Sequence, residues 1–224
     1  MNVTAVVVAG GGRGGVDILA PVGGVPMVAH AVRSLLGVAE HVVVLDVDER
    51  GHTLVRACAG LPVSVRHAFP RASSESGPHA PQRRDTTSGD GFVAPCSEEV
   101  VLVHDAARPL APRALAAAVV EGIRAGHEIV VPVLPLTDTV KTVDPAGIVR
   151  DTPDRSGLRV LQTPQALRRE LVDARAGEDL LAVAVAYAAA GHAVHTVPGD
   201  LAAFPVRTGW DLELAELLTE RTTA

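Results

Sequence analysis

Lysine is almost missing from this sequence: among 20 basic residues Lys141 is the only lysine, and the rest are arginine. Any chemistry that needs two lysine ammonium groups is therefore excluded. Aromatic residues make up 2% of the chain, so a buried core has to be built from alanine, valine and leucine. No basic cluster stands out, and with a net charge of −6 the chain lacks the basic face that nucleic acid or an anionic membrane would favour. No apolar run approaches the roughly 20 residues that cross a bilayer, and the start of the chain has no basic segment with a cleavage pattern. The expected location is cytoplasmic. The two cysteines, Cys58 and Cys96, are far apart and have neither CxxC spacing nor histidine companions, so neither a disulfide nor a thiolate metal site is expected.

What is present is a 224-residue chain with 47% hydrophobic content, enough for one sizeable α/β core, read as a single domain over residues 1–224. Residues Thr4 to Ala9 are a β-branched run that empties into Gly10-Gly11-Gly12-Arg13-Gly14-Gly15. Glycines there let backbone N–H groups approach a phosphate that a Cβ would obstruct. The loop has a formal GxGxxG, but that dinucleotide fingerprint needs to run straight into a helix, and Pro21 and Gly23-Gly24 intervene. No Gly-Lys-Ser/Thr follows, which excludes a Walker loop.

Strand and helix then alternate. Periodicity predicts a helix over 26–36, a strand over 41–47, a helix over 50–59 and a strand over 63–65. Residues 70–96 carry few apolar side chains and read as a mobile loop. Beyond it, helices are predicted over 112–125, 167–174, 179–190 and 211–219, with strands over 128–134 and 192–197. The alternation of 136–143, the Asp144-Pro145-Ala146-Gly147 turn and the return through Ile148 predict a projecting hairpin over 136–157. The class is α/β, a mainly parallel sheet flanked by helices.

The most pointed stretch is Val100 to Pro109, an apolar strand that stops at His104-Asp105-Ala106-Ala107-Arg108. In an open α/β sheet the carboxyl ends of the strands face the ligand crevice, so Asp105 and Arg108 are candidates for chemistry. A helix-capping aspartate paired with an arginine explains the same residues equally well. The histidines have no metal or triad companions at useful spacing and read as structural, His104 serving to orient the strand end.

In order, the glycine loop, VHDAARP, LTDTVK in the hairpin, DRSGL and LQTPQ resemble the 2-C-methyl-D-erythritol 4-phosphate cytidylyltransferase family. The resemblance implies a Rossmann-like fold and transfer of CMP from CTP to a sugar or polyol phosphate with release of pyrophosphate, assisted by Mg²⁺. It implies that Ala9, Gly10, Gly11 and Gly12 contact the nucleotide, and that Asp105 and Ala106 hold ribose or metal-bound phosphates, Asp105 being the candidate metal ligand. It places Arg13, Asp105 and Arg108 in catalysis, and Arg108, Thr163 and Gln165 beside the acceptor. It also implies a homodimer, in which the 136–157 hairpin carries Thr137 and Arg155 to the partner's acceptor site. The family has two lysines, one soon after the glycine loop and one near the C-terminus. This chain has Leu19-Ala20-Pro21-Val22 and Ala203-Phe204-Pro205-Val206-Arg207 there, leaving Arg13 and Arg207 as available cations. Two readings follow: an active enzyme using arginine, or a homologue that binds nucleotide or phosphate without turnover, in a regulatory or scaffolding role.

Overall fold

In the computed structural model, residues 1–10, 15–67, 99–173 and 179–223 are described. The predicted loop 70–96 lies outside them. The first strand, β1 (Val3–Ala9), is buried along its whole length, as a β-branched run covered on both faces must be. Gly23 and Gly24, with φ of +55° and +76°, make the two-residue turn between β2 (Pro21–Val22) and β3 (Val25–Pro26). That turn requires positive φ at both positions, which explains the glycine pair between the loop and the first helix. Helix α1 (Met27–Leu35) follows, with Met27, Val28, Ala31, Val32 and Leu35 buried. It is followed by β4 (His41–Asp46), α2 (Gly51–Ala57) and β5 (Val63–His67).

The second half contributes β6 (Val100–Asp105), α3 (Arg113–Arg124) and β7 (Ile129–Pro135). A separate two-stranded ladder, β8 (Thr142–Val143) with β9 (Val149–Asp151), forms the hairpin. Then come β10 (Arg159–Leu161), β11 (Gln165–Arg168), α4 (Arg169–Asp173), α5 (Val183–Ala189), β12 (His195–Pro198) and α6 (Gly209–Thr223).

Eight strands form one sheet in the order β10-β7-β11-β6-β1-β4-β5, with β12 also on β7. β1 pairs in parallel with β4 and β6, β4 with β5, and β12 with β7, so the sheet is mostly parallel. β10 and β11 run antiparallel to their neighbours. One face packs under α1, α2 and α3, and the other carries Val6, Val101, Val103, Leu167, Val183 and Tyr187. Tyr187 is a buried aromatic, and its hydroxyl donates to Glu128 Oε2 at 2.5 Å.

Two expectations are corrected. Residues 165–168 form a strand between β6 and β7, and helix begins only at Arg169. Ala166 and Leu167 are buried on opposite faces of the sheet, the period of a strand. In the hairpin, only Thr142–Val143 of the expected 136–143 limb is in a ladder. Lys141 Nζ instead donates to Thr152 Oγ1 at 2.5 Å.

Candidate active site

The parallel strands end in one row. Val8 lies beside Asp105, Ala9 beside Asp46, and Asp46 beside His67, so the ends of β1, β4, β5 and β6 meet at one edge. Gly10, the first residue beyond β1, has φ of +120°, and a Cβ there would come within 2.5 Å of Asp48 Oδ2. Only glycine turns the chain at that point without collision. Gly11, Gly12 and Arg13 lie outside the described residues.

At the end of β6, Asp105 Oδ1 accepts the Ala107 N–H at 2.9 Å, and the Asp105 carbonyl accepts the Arg108 N–H at 3.0 Å. The Ala106 N–H donates to the Val8 carbonyl at 3.1 Å, pinning the turn to β1, and Ala106 is buried there. Asp105 is therefore a turn-former at the strand end and not the cap of α3, whose cap is Pro112.

Arg108 is buried. Its guanidinium donates to the Ala203 carbonyl and, through Nη2, to the Leu161 carbonyl at 3.3 Å. Burial lowers its affinity for the proton; the Asp105 carboxylate opposes that shift and the neighbouring Arg207 charge adds to it. His104 is fully buried, and its Nδ1 lies 2.8 Å from Thr163 Oγ1, which also accepts the Asp105 N–H at 3.0 Å. Burial, and then the Arg108 charge, push the imidazole down to about 3, so the ring is neutral near pH 7. His104 is thus a neutral, buried side chain tied to Thr163 at the strand end.

Gln162 fastens the other wall. Its Oε1 accepts the Asp200 N–H at 2.9 Å and its Nε2 donates to the Asp200 carbonyl at 2.8 Å. A Cβ on Gly199 would collide with that amide and come within 2.9 Å of the Val133 carbonyl. The wall continues into Val206 and Arg207: the Val206 N–H donates to the Ala107 carbonyl at 2.7 Å, and the Gly15 N–H to the Arg207 carbonyl at 3.0 Å. At the loop exit, Arg50 Nη1 lies 3.0 Å from Asp17 Oδ1. Burial pushes the Asp17 carboxyl up, but the Leu19 N–H and Arg50 outweigh it and leave the group below its usual value.

The structure thus gathers Ala9, Gly10, Asp105, Ala106, Arg108 and Thr163 at one end of the sheet. Gln165 is set apart: it pairs with Val103, on the face opposite His104, is buried, and its Oε1 accepts no hydrogen bond among the described residues. Thr137 and Arg155 meet each other in the hairpin, where the Arg155 guanidinium donates to the Thr137 carbonyl. The roles of Gln162, Asp48 and the Asp17–Arg50 pair were not legible in the sequence. Each depends on a contact between distant segments, and nothing in its local pattern separates it from a surface polar residue.

The family model described as "2-C-methyl-D-erythritol 4-phosphate cytidylyltransferase" (IspD) matches residues 3–221. The chain belongs to this family. An IspD-family cytidylyltransferase of Nocardia farcinica (strain IFM 10152) is 42% identical over 210 residues, covering 91% of this chain and 86% of that protein. The enzyme of Rhodococcus jostii (strain RHA1) with the same name is 39% identical over 204 residues, covering 88% and 84%. The crystal structure of the Thermus thermophilus cytidylyltransferase superposes with a TM-score of 0.72 at 26% identity, covering 98% of this chain and 100% of that one. Among the described residues no helix is long and apolar enough to cross a membrane.

Proposed function

We propose that this protein transfers CMP from CTP to 2-C-methyl-D-erythritol 4-phosphate, releasing pyrophosphate, as a step of isoprenoid precursor synthesis. The observation that carries the reading is the family match over residues 3–221 together with the gathering of Ala9, Gly10, Asp105 and Ala106 at one sheet end. In this reading Ala9 to Gly12 cradle the nucleotide, Arg13 meets its phosphates, and residues 1–224 act as one nucleotidyltransferase domain.

In the reaction an acceptor phosphate oxygen forms a bond to the α-phosphorus of CTP. The bond from that phosphorus to the β-phosphate bridging oxygen breaks, and pyrophosphate leaves with the electron pair. The attacking oxygen is already anionic, so no general base is required, consistent with a neutral, buried His104. The protein's task is to place two anions together and to offset the charge that builds up on the phosphorus oxygens.

A divalent cation such as Mg²⁺ fits this site only as one carried by the nucleotide. No group of three or more His, Cys, Asp or Glu among the described residues is arranged to hold a metal. Mg²⁺ bound largely by phosphates needs only one or two carboxylates, and Asp105 has one oxygen beyond the Ala107 contact to offer. When bound, the ion would neutralise phosphate charge; Asp105 would fix it beside β1.

Arg108 and Thr163 form the acceptor wall in this reading. Arg108 acts there by holding Ala203 and Leu161 in place. The 136–157 hairpin serves as the dimer arm, carrying Thr137 and Arg155 to the partner's acceptor. Exposed apolar residues Val143, Ile148 and Val149 on the arm support a second copy as its partner.

Purified protein with CTP, methylerythritol phosphate and Mg²⁺ should release pyrophosphate, and Asp105→Asn and Arg13→Ala should each lower the rate about 10²-fold or more. No release above background across several sugar phosphates would overturn the reading. CTP binding without release would instead support the non-catalytic homologue.

A further inference from the structure

At the end of β6 two successive residues share one hydroxyl. His104 extends the face of the strand that carries Val100 and Leu102, and its ring is fully buried. The antiparallel register that sets Gln165 of β11 against Val103 brings Thr163 to the end of the same ladder. There Thr163 Oγ1 accepts the Asp105 N–H at 3.0 Å and lies 2.8 Å from His104 Nδ1. Thr163 is itself buried, and its hydroxyl has no third hydrogen-bond partner among the described residues.

A threonine hydroxyl has one proton to give and two lone pairs to fill. The His104–Thr163 hydrogen bond can run in either direction at 2.8 Å, and the two directions have opposite consequences. If the hydroxyl donates to a bare Nδ1, its proton is used inside the protein and it offers an incoming group only a lone pair. If Nδ1–H donates to Oγ1, His104 and the Asp105 N–H fill both lone pairs. The hydroxyl proton is then directed away from both donors and is left for a ligand.

The other ring nitrogen separates the two. His104 Nε2 is buried and has no hydrogen-bond partner among the described residues. Burial and the Arg108 charge keep the ring neutral, so it carries one proton. The Arg108 main chain favours the charged ring, but it makes no hydrogen bond to Nε2. A proton on Nε2 would therefore be a buried donor without an acceptor, whereas a proton on Nδ1 meets Thr163 Oγ1 and leaves only a bare lone pair at Nε2. An orphaned buried donor is rarer and more destabilising than an unfilled lone pair.

We infer that His104 is a positioning residue for the acceptor side of the site: with its proton on Nδ1, it makes the Thr163 hydroxyl a donor for a phosphate oxygen. An anion is bound by that O–H and repelled by the lone pair of the opposite arrangement. His104 touches no ligand and acts only through Thr163. That the ligand is the acceptor phosphate rests on the cytidylyl-transfer reading; the place of the proton on the ring does not.

Two measurements on the full chain test this. Nitrogen NMR of histidine-labelled protein at pH 7 should show, for the ring whose signals vanish in His104→Asn, a proton bonded to Nδ1 and a bare Nε2. A proton on Nε2 would overturn the inference whatever the turnover. In turnover, His104→Leu and Thr163→Val should each raise KM for methylerythritol phosphate about tenfold and leave KM for CTP unchanged. The double variant should be no worse than Thr163→Val alone, because His104 acts through the hydroxyl. His104→Asn, whose amide can donate from the place of Nδ1, should recover most of the acceptor affinity, and it serves as the test if His104→Leu does not fold. Additive losses, KM for both substrates raised together, or a His104→Asn variant as impaired as Thr163→Val would each overturn the assignment. If the wild type transfers CMP to no sugar phosphate, the cytidylyl-transfer reading fails, and the NMR result alone decides whether Thr163 is held as a donor.

Discussion

The carboxyl end of the sheet and the hairpin use the same residue types in opposite surroundings. At the sheet end Arg108, Thr163 and His104 are buried, and their partners are main-chain carbonyls, a main-chain N–H and one another. In the hairpin Arg150, Arg155 and Asp154 are exposed: Arg150 reaches Asp144 and Asp154 caps a short turn through Ser156. A buried donor without its acceptor costs far more than an exposed one, because water replaces the partner only in the second case. The first region is thus held in one arrangement by desolvation. The second is free to be arranged by whatever it docks against.

That contrast is broken most forcefully at Arg108. Arg108→Leu removes a donor from the Leu161 carbonyl and leaves the Ala203 carbonyl only the longer Gln162 Nε2 contact at 3.4 Å, and should cost about 2–4 kcal/mol in urea unfolding. A loss below about 1 kcal/mol would mean that this end is no more tightly held than the arm.

The next effect is in pH. His104 titrates near 6.5 when unfolded but at about 3 when folded, so the unfolded chain takes up the proton first as the solution is acidified. Its contribution is fully present above about pH 6.5 and falls, by at most roughly 1.4 kcal/mol per pH unit, as pH drops toward 3. Stability measured against pH should show that slope, and His104→Gln should flatten it. A slope that is the same in both proteins would place the titration elsewhere.

The smallest effect belongs to the hairpin. The Asp144 and Asp154 carboxyls are held below the usual value, Asp144 chiefly by the Ile148 N–H and Asp154 by the Ser156 N–H. These are local contacts within an exposed turn. Arg150→Ala and Arg155→Ala should leave the urea midpoint of the chain unchanged, while Arg155→Ala should weaken acceptor use if the arm serves a partner's site. A clear shift in midpoint for either would show that the arm is part of the fold's own support.

Much of this architecture is legible along the chain. The β-branched run before Gly10 is β1, the period of 26–36 is α1, and the alanine-rich 112–125 contains α3. These elements are set by local pattern, which the burial of one face then reinforces. The misreadings fall where tertiary contacts decide. Gln165 to Arg168 offer too few residues for periodicity to separate strand from helix, and their insertion between β6 and β7 settles it. The limb at 136–141 alternates like a strand but meets no strand partner among the described residues, so it forms no ladder.

The sequence by itself determined the family, the alternation of strands and helices, the glycine loop and the near absence of lysine, since each is a property of residue types in order. Only the tertiary structure decided that Asp105 shapes a turn, that Arg108 is committed to two carbonyls and that the Val206–Arg207 segment is tied to Gly15 and Ala107. The physical reason is that a side chain's chemistry depends on which distant acceptors burial brings within 3 Å or so. For Arg108 those acceptors are main-chain carbonyls, which any sequence has at every position.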